Sequence, residues 1–150
     1  MIEERNGDVL ESGADVICHQ VNCMGVMGAG LARQIRERWP HVYSTYQAKC
    51  RSVRQGHGGL GDIQVVGCGS CSIANLFSQY GFGSGRCHTD YKALEKCLQS
   101  IREVAESMGY RVALPYGIGC GLAGGDWDVV SGIIRRIFDN SPVTAEIWRL

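Results

Sequence analysis

Two strand–loop–helix units, each with a glycine-rich loop, constrain this chain more than any other feature. The first runs from Asp15-Val16-Ile17-Cys18-His19-Gln20-Val21 into Asn22-Cys23-Met24-Gly25-Val26-Met27-Gly28-Ala29-Gly30. The second runs from Arg111-Val112-Ala113-Leu114-Pro115-Tyr116 into Gly117-Ile118-Gly119-Cys120-Gly121-Leu122-Ala123-Gly124-Gly125. Glycine at the end of a strand lets the backbone turn tightly and approach a ligand with no Cβ in the way. A helix start behind such a loop adds unpaired N–H donors and the positive end of a dipole. Two such loops in one small chain predict a cleft that grips a diphosphate from both sides.

The rest of the chain alternates in the same way. Met1–Arg5, Asp15–Val21, Asp62–Val66, Ser72–Phe77, Arg111–Leu114 and Thr144–Leu150 read as strands, the clearest being Asp15–Val21, mostly apolar and bounded by Gly13 and the glycine loop. Leu31–Trp39 reads as a helix stopped by Pro40, and His41–Val53 as a second one. Thr89 or Asp90 caps a long helix that carries Leu94, Leu98, Ile101 and Ala105 at helical spacing and ends at Gly109. Asp126-Trp127 opens a last helix to Phe138. Six strands and four helices in this order predict an α/β fold: a three-layer α/β/α sandwich on a six-stranded sheet. The short link within 62–77 makes that pair antiparallel, so the sheet is mixed but mostly parallel. The length, 150 residues, fits one domain over 1–150.

Composition removes several classes. Lys+Arg and Asp+Glu are both 15, so there is no basic excess for a sequence-independent grip on nucleic acid. Arg33, Arg36 and Arg38 cluster, as do Arg51 and Arg54, in the pattern of solvated helix faces. No apolar run is long enough to span a membrane, and the N-terminus lacks the pattern of a signal peptide. A cytoplasmic monomer with reduced thiols is the expectation for its 8 Cys. Cys68-Gly69-Ser70-Cys71 has the spacing of a redox pair or half a zinc site. It lacks a second ligand pair at tight spacing and does not start a helix, so no metal and no cofactor are expected.

Gly119-x-Gly121-x-x-Gly124 matches the dinucleotide fingerprint in form. The chain stops at Leu150, without the further half-sheet that a nicotinamide enzyme needs. There is no GxxxxGK[ST], which excludes a P-loop.

Taken together, these residues resemble a macro domain, the module that binds ADP-ribose. The resemblance rests on Gly7-Asp8-Val9 after the first strand, on the run from Cys18 to Ala32, on the run from Leu114 to Trp127, and on the closing Glu146-Ile147-Trp148-Arg149-Leu150. It covers nearly the whole chain. It is closest to the branch of DNA- and glutamate-ADP-ribose hydrolases and of the yeast-type ADP-ribose 1″-phosphate phosphatase. It implies that Asp8, with the backbone of Val9, receives the adenine amino group. It also implies that Gly28, Ala29 and Gly30 meet the diphosphate and distal ribose from one side, with Gly119, Cys120, Gly121, Leu122 and Ala123 on the other. The Asn22 amide is expected at the distal ribose hydroxyls, the alternative being a turn asparagine; Trp148 is expected beside the adenine or in the core. The implied partner is ADP-ribose or an ADP-ribosylated macromolecule.

Catalysis is less legible. Hydrolases of that branch use a lysine after the fourth strand and an acid in the second loop, whereas this chain has Asn75-Leu76-Phe77-Ser78-Gln79 and Ala123 there. The remaining candidates are His19, Asn22 and Asn75. His19 can move a proton near neutral pH or simply be packed, and strand alternation sets it opposite Asn22 unless the strand bends. The readings left open are release of ADP-ribose from a modified target, removal of the phosphate from ADP-ribose 1″-phosphate, and a non-catalytic reader.

Overall fold

The computed structural model describes all residues from Met1 to Leu150. Its strands are β1 (Ile2–Asn6), β2 (Val16–Val21), β3 (Ile63–Gly67), β4 (Ser72–Phe77), β5 (Val112–Pro115) and β6 (Ala145–Arg149). Its helices are α1 (Gly30–Arg38), α2 (Pro40–Arg54), α3 (Tyr91–Met108) and α4 (Trp127–Phe138). The six strands form one sheet in the order β1-β6-β5-β2-β4-β3. Only β3 runs antiparallel, against β4. The mixed, mostly parallel sheet of the sequence reading is therefore present.

Sequence pattern explains the layers. Central strand β2 is covered on both faces, and all its residues but Gln20 are buried. Its even-numbered apolar residues, Val16 and Cys18, pack with α3 and α4 around Leu94, Leu98, Ile134 and Phe138. Its odd-numbered ones, Ile17 and Val21, pack with α1 and α2 around Ile35, Val42 and Tyr46. Asp90 caps α3 by accepting from Ala93 N, and Gly109 ends that helix at φ +70°. Pro40 separates α1 from α2 and occupies the first turn of α2, where its missing N–H costs nothing. One element escaped the sequence reading, a 3-10 turn at Val9–Glu11. No helix is long and apolar enough to cross a membrane.

Because β2, β4, β5 and β6 are parallel, their carboxyl ends lie at one edge of the sheet. Open α/β sheets bind ligands at that edge. Both glycine loops leave it, one after β2 and one after β5.

Candidate functional site

The two loops face each other across a cleft of about 600 Å³. One wall is Val26, Gly28, Ala29, Gly30, Leu31 and Ala32; the other runs from Pro115 to Gly119 and from Gly121 to Ala123. The end of β2, Gln79 and the segment Phe82-Gly83-Ser84 complete it. No Asp, Glu, Lys or Arg lines this cleft. An anion held here is therefore held by dipoles.

The dipoles are available. Gly28, Ala29, Gly30, Leu31 and Ala32 have amides with no acceptor inside the protein, the last three forming the open first turn of α1. On the second loop, the amides of Gly119, Gly121, Leu122 and Ala123 are also free. Cys120 corrects the sequence reading: its amide donates to Gly117 O at 2.8 Å, and its thiol turns to Ile118 O, away from the cleft. Asp126 stands as the cap of α4, the role its place before Trp127 suggests. Asp126 accepts from Asp128 N at 2.8 Å, and the first residues of α4 do not line the cleft, so only α1 offers its N-terminus there.

Each loop is held in shape from beneath. Asn22 clamps the first: its Oδ1 accepts from Met24 N at 2.9 Å, Val26 N at 3.4 Å and the Tyr46 hydroxyl at 2.7 Å, and its Nδ2 donates to Val26 O at 2.8 Å. Strict alternation would put Asn22 on the α3 face. Instead the strand ends at Val21 and the chain bends, bringing Asn22 to Tyr46 of α2 on the same side as His19.

The second loop rests on neutral polar groups drawn from three segments. Gln20 Nε2 donates to Gln79 Oε1 and Thr89 Oγ1, both at 2.9 Å. Ser78 donates to Gln20 Oε1 at 2.7 Å, and Thr89 donates to Gly119 O at 2.6 Å. At Gly119, with φ +77°, an added Cβ would lie 3.0 Å from Gln20 Oε1. Sequence reasoning did not assign Gln20 or Thr89 to this support. The alternation of His19 and Gln20 at the end of a buried strand was the available signal.

Other sequence candidates stand outside the wall. Asp8 accepts from Leu10 N at 2.9 Å and caps the 3-10 turn, and Val9 is buried beside it. Trp148 donates Nε1 to Glu146, a buried carboxylate also held by Arg111. The Trp148 ring packs so close to Gly7 that a Cβ there would be 3.2 Å away. Tyr116, unassigned from sequence, does line the cleft, its ring 4.6 Å from that of Trp127 and 4.3 Å from the Arg149 guanidinium carbon. All 8 cysteines are free thiols, and no cluster of three metal-ligating side chains occurs.

His19 is 2 % exposed, with Nε2 2.6 Å from Asn75 Oδ1. Burial pushes its pKa down to about 4, partly opposed by the hydrogen bond to Asn75. Between about pH 6.5 and pH 4 the unfolded chain takes up a proton that the folded chain refuses. The unfolded state then binds more protons, so stability falls as pH falls through this window, by at most about 1.4 kcal/mol per pH unit. Denaturant titrations at pH 7, 6 and 5 on wild type and His19→Gln should show a shallower loss in the variant. Equal slopes would contradict a neutral buried His19.

These features define a class: an α/β sandwich with two glycine loops whose free backbone amides face one cleft at the carboxyl edge of its sheet. The chain belongs to the macro domain family, whose model matches residues 18–134. It is similar to the DNA ADP-ribosyl glycohydrolase of Mycobacterium tuberculosis, with 28% identity over 148 residues. That match takes in 95% of this chain but 40% of the mycobacterial protein. Among solved structures, a Bacteroides thetaiotaomicron protein of unknown function superposes with a TM-score of 0.88 at 26% identity, covering 100% of this chain and 98% of that one. The macrodomain of Mycobacterium tuberculosis DarG does so with a TM-score of 0.84 at 27% identity, covering 99% and 97%.

Proposed function

We propose that this protein binds ADP-ribose in the cleft between its two glycine loops, and releases it from a modified macromolecule. One observation carries the binding: two facing sets of unpartnered amides in a cleft without charged side chains. Such a cleft suits a diphosphate bridging two neutral sugars, and its volume of about 600 Å³ is of the size that takes a nucleotide. The relative named for DNA ADP-ribosyl glycohydrolase activity supports release, with an ADP-ribosylated nucleic acid as one substrate class. Asp8 and Trp148 lie close together about Gly7, where they serve the adenine end. The free thiols suit a protein that works in the cytoplasm, and we propose it acts there as a monomer.

A second reading is favoured by Gln79. It lines the cleft at the end of the stretch Asn75-Leu76-Phe77-Ser78-Gln79, within which the resemblance implies a lysine, and its amide is occupied by Gly81 O and Gln20. With no charged group in the wall, binding without turnover is the competing function.

A thermal-shift titration with ADP-ribose, AMP, ADP and NAD tests the binding. Ligand at about 100 times its dissociation constant adds about 2.7 kcal/mol. For a chain of this size that raises the melting point by about 5–10 °C. No shift with ADP-ribose would overturn the reading. Incubation with ADP-ribosylated protein, ADP-ribosylated DNA and ADP-ribose 1″-phosphate then separates hydrolase and phosphatase from reader.

A further inference from the structure

A line of polar side chains crosses the face of the sheet beneath α1 and α2. Gln64 of β3 stands opposite Asn75 of β4, and Asn75 stands opposite His19 of β2. Gln64 Nε2 donates to Thr45 O in α2 at 3.2 Å, and Asn75 Nδ2 donates to Gln64 Oε1 at 3.0 Å. Asn75 Oδ1 then meets His19 Nε2 at 2.6 Å.

One end of the line sets its direction. The Thr45 carbonyl can only accept, so Gln64 turns its nitrogen there and its oxygen toward Asn75. Asn75 in turn offers nitrogen to Gln64 and oxygen to His19. His19 is left to donate, so its hydrogen sits on Nε2 and a lone pair sits on Nδ1. That Nδ1 is the only buried side-chain nitrogen or oxygen in the protein without a partner. His19 is also one of the residues that wall the cleft. An enclosed acceptor without a donor is costly, and each such exception calls for an explanation. The free amides of the cleft are donors suited to phosphate oxygens. They offer nothing to the hydrogen of a sugar hydroxyl.

We infer that Gln64 and Asn75 are positioning residues for His19, and that His19 Nδ1 accepts a hydrogen bond from a sugar hydroxyl of the nucleotide held in the cleft. This rests on the reading that the cleft takes ADP-ribose. It assigns the relay a role in binding that a purely structural network would not have.

Side-chain ¹⁵N–¹H correlation spectra of the histidines at pH 8, with and without ADP-ribose, test it beside calorimetry of the same samples. The free protein is expected to show His19 protonated on Nε2 alone. On binding, the Nδ1 resonance moves upfield while Nε2 keeps its proton. Asn75→Leu removes the partner of Nε2, so the ring samples the other tautomer and ADP-ribose affinity falls about tenfold, the loss of one hydrogen bond. Gln64→Leu, at a half-buried position, has the same sense and a smaller size. Asn75→Asp keeps an acceptor for Nε2 and restores the tautomer. Binding by calorimetry with an unmoved Nδ1 would overturn the inference and leave the proposed function standing. A free protein with the proton on Nδ1 would overturn the relay. No heat with ADP-ribose would overturn the reading of the cleft and this inference with it.

Discussion

Gly121→Glu is expected to weaken ADP-ribose binding on the order of 100-fold while leaving the fold intact. Gly121 sits on the second loop with its amide free, between the free amides of Gly119 and Leu122. Its φ lies outside the left-handed region, and an added Cβ would meet nothing within 4 Å. A larger side chain therefore fits without strain, and the melting point should stay close to wild type, as for other open surface positions. The carboxylate, however, enters a wall whose free amides are proposed to hold the diphosphate. Two like charges about 5 Å apart at an effective dielectric of about 20 repel by about 3 kcal/mol, a loss on the order of 100-fold in affinity. Gly121→Ala is the control and should bind nearly as well as wild type. Gly125 makes a poor probe of the same idea, because a Cβ there would lie 2.5 Å from the Gly119 carbonyl and would distort the loop itself. Near-normal ADP-ribose affinity in folded Gly121→Glu would mean that this loop is not the anion wall.

The fold was legible because its signals are local. The capping aspartates at 90 and 126, the helix-ending Gly109 and the apolar central strands each report their own element. The positions of the two glycine loops followed from the parallel sheet. What the sequence left hidden depends on partners far along the chain. Cys120 looks like any other amide in its loop, yet the turn uses it internally at Gly117 O. Gln20, Gln79 and Thr89 come from different elements, and only strand register and the start of α3 bring them under Gly119. His19 and Asn75 were visible as polar residues in apolar strands. Their direct opposition is a fact of register, and the direction of their hydrogen bond is set by Thr45 in a helix. Gly7-Asp8 read as a ligand contact, whereas the structure also gives Asp8 a capping role that composition alone does not rank against it.

Asn22→Ala should cost both stability and affinity, and the pairing of the two is what identifies the clamp. The wild-type side chain makes four hydrogen bonds, three of them to the backbone of its own loop and one from Tyr46. Truncation leaves the Met24 and Val26 amides without their acceptor; the Tyr46 hydroxyl keeps the Asn22 carbonyl at 2.7 Å. At 8 % exposure, water replaces these bonds poorly. The expected destabilisation is about 2–3 kcal/mol, or a fall of about 5–10 °C in melting point. Loop residues 23–29 are then free to sample other shapes, and the amides of Gly28 to Ala32 must be ordered again by the ligand. That ordering should weaken ADP-ribose binding by on the order of 10- to 100-fold. Tyr46→Phe removes one of the clamp's bonds and should cost about 1 kcal/mol with a smaller loss of affinity. If Asn22→Ala melts like wild type but no longer binds, the amide acts as a direct ligand contact. The stability of the first loop must then come from its neighbours. If affinity and melting point both stay unchanged, the loop does not need the clamp, and the geometry of the first wall is fixed by α1 and the glycines alone.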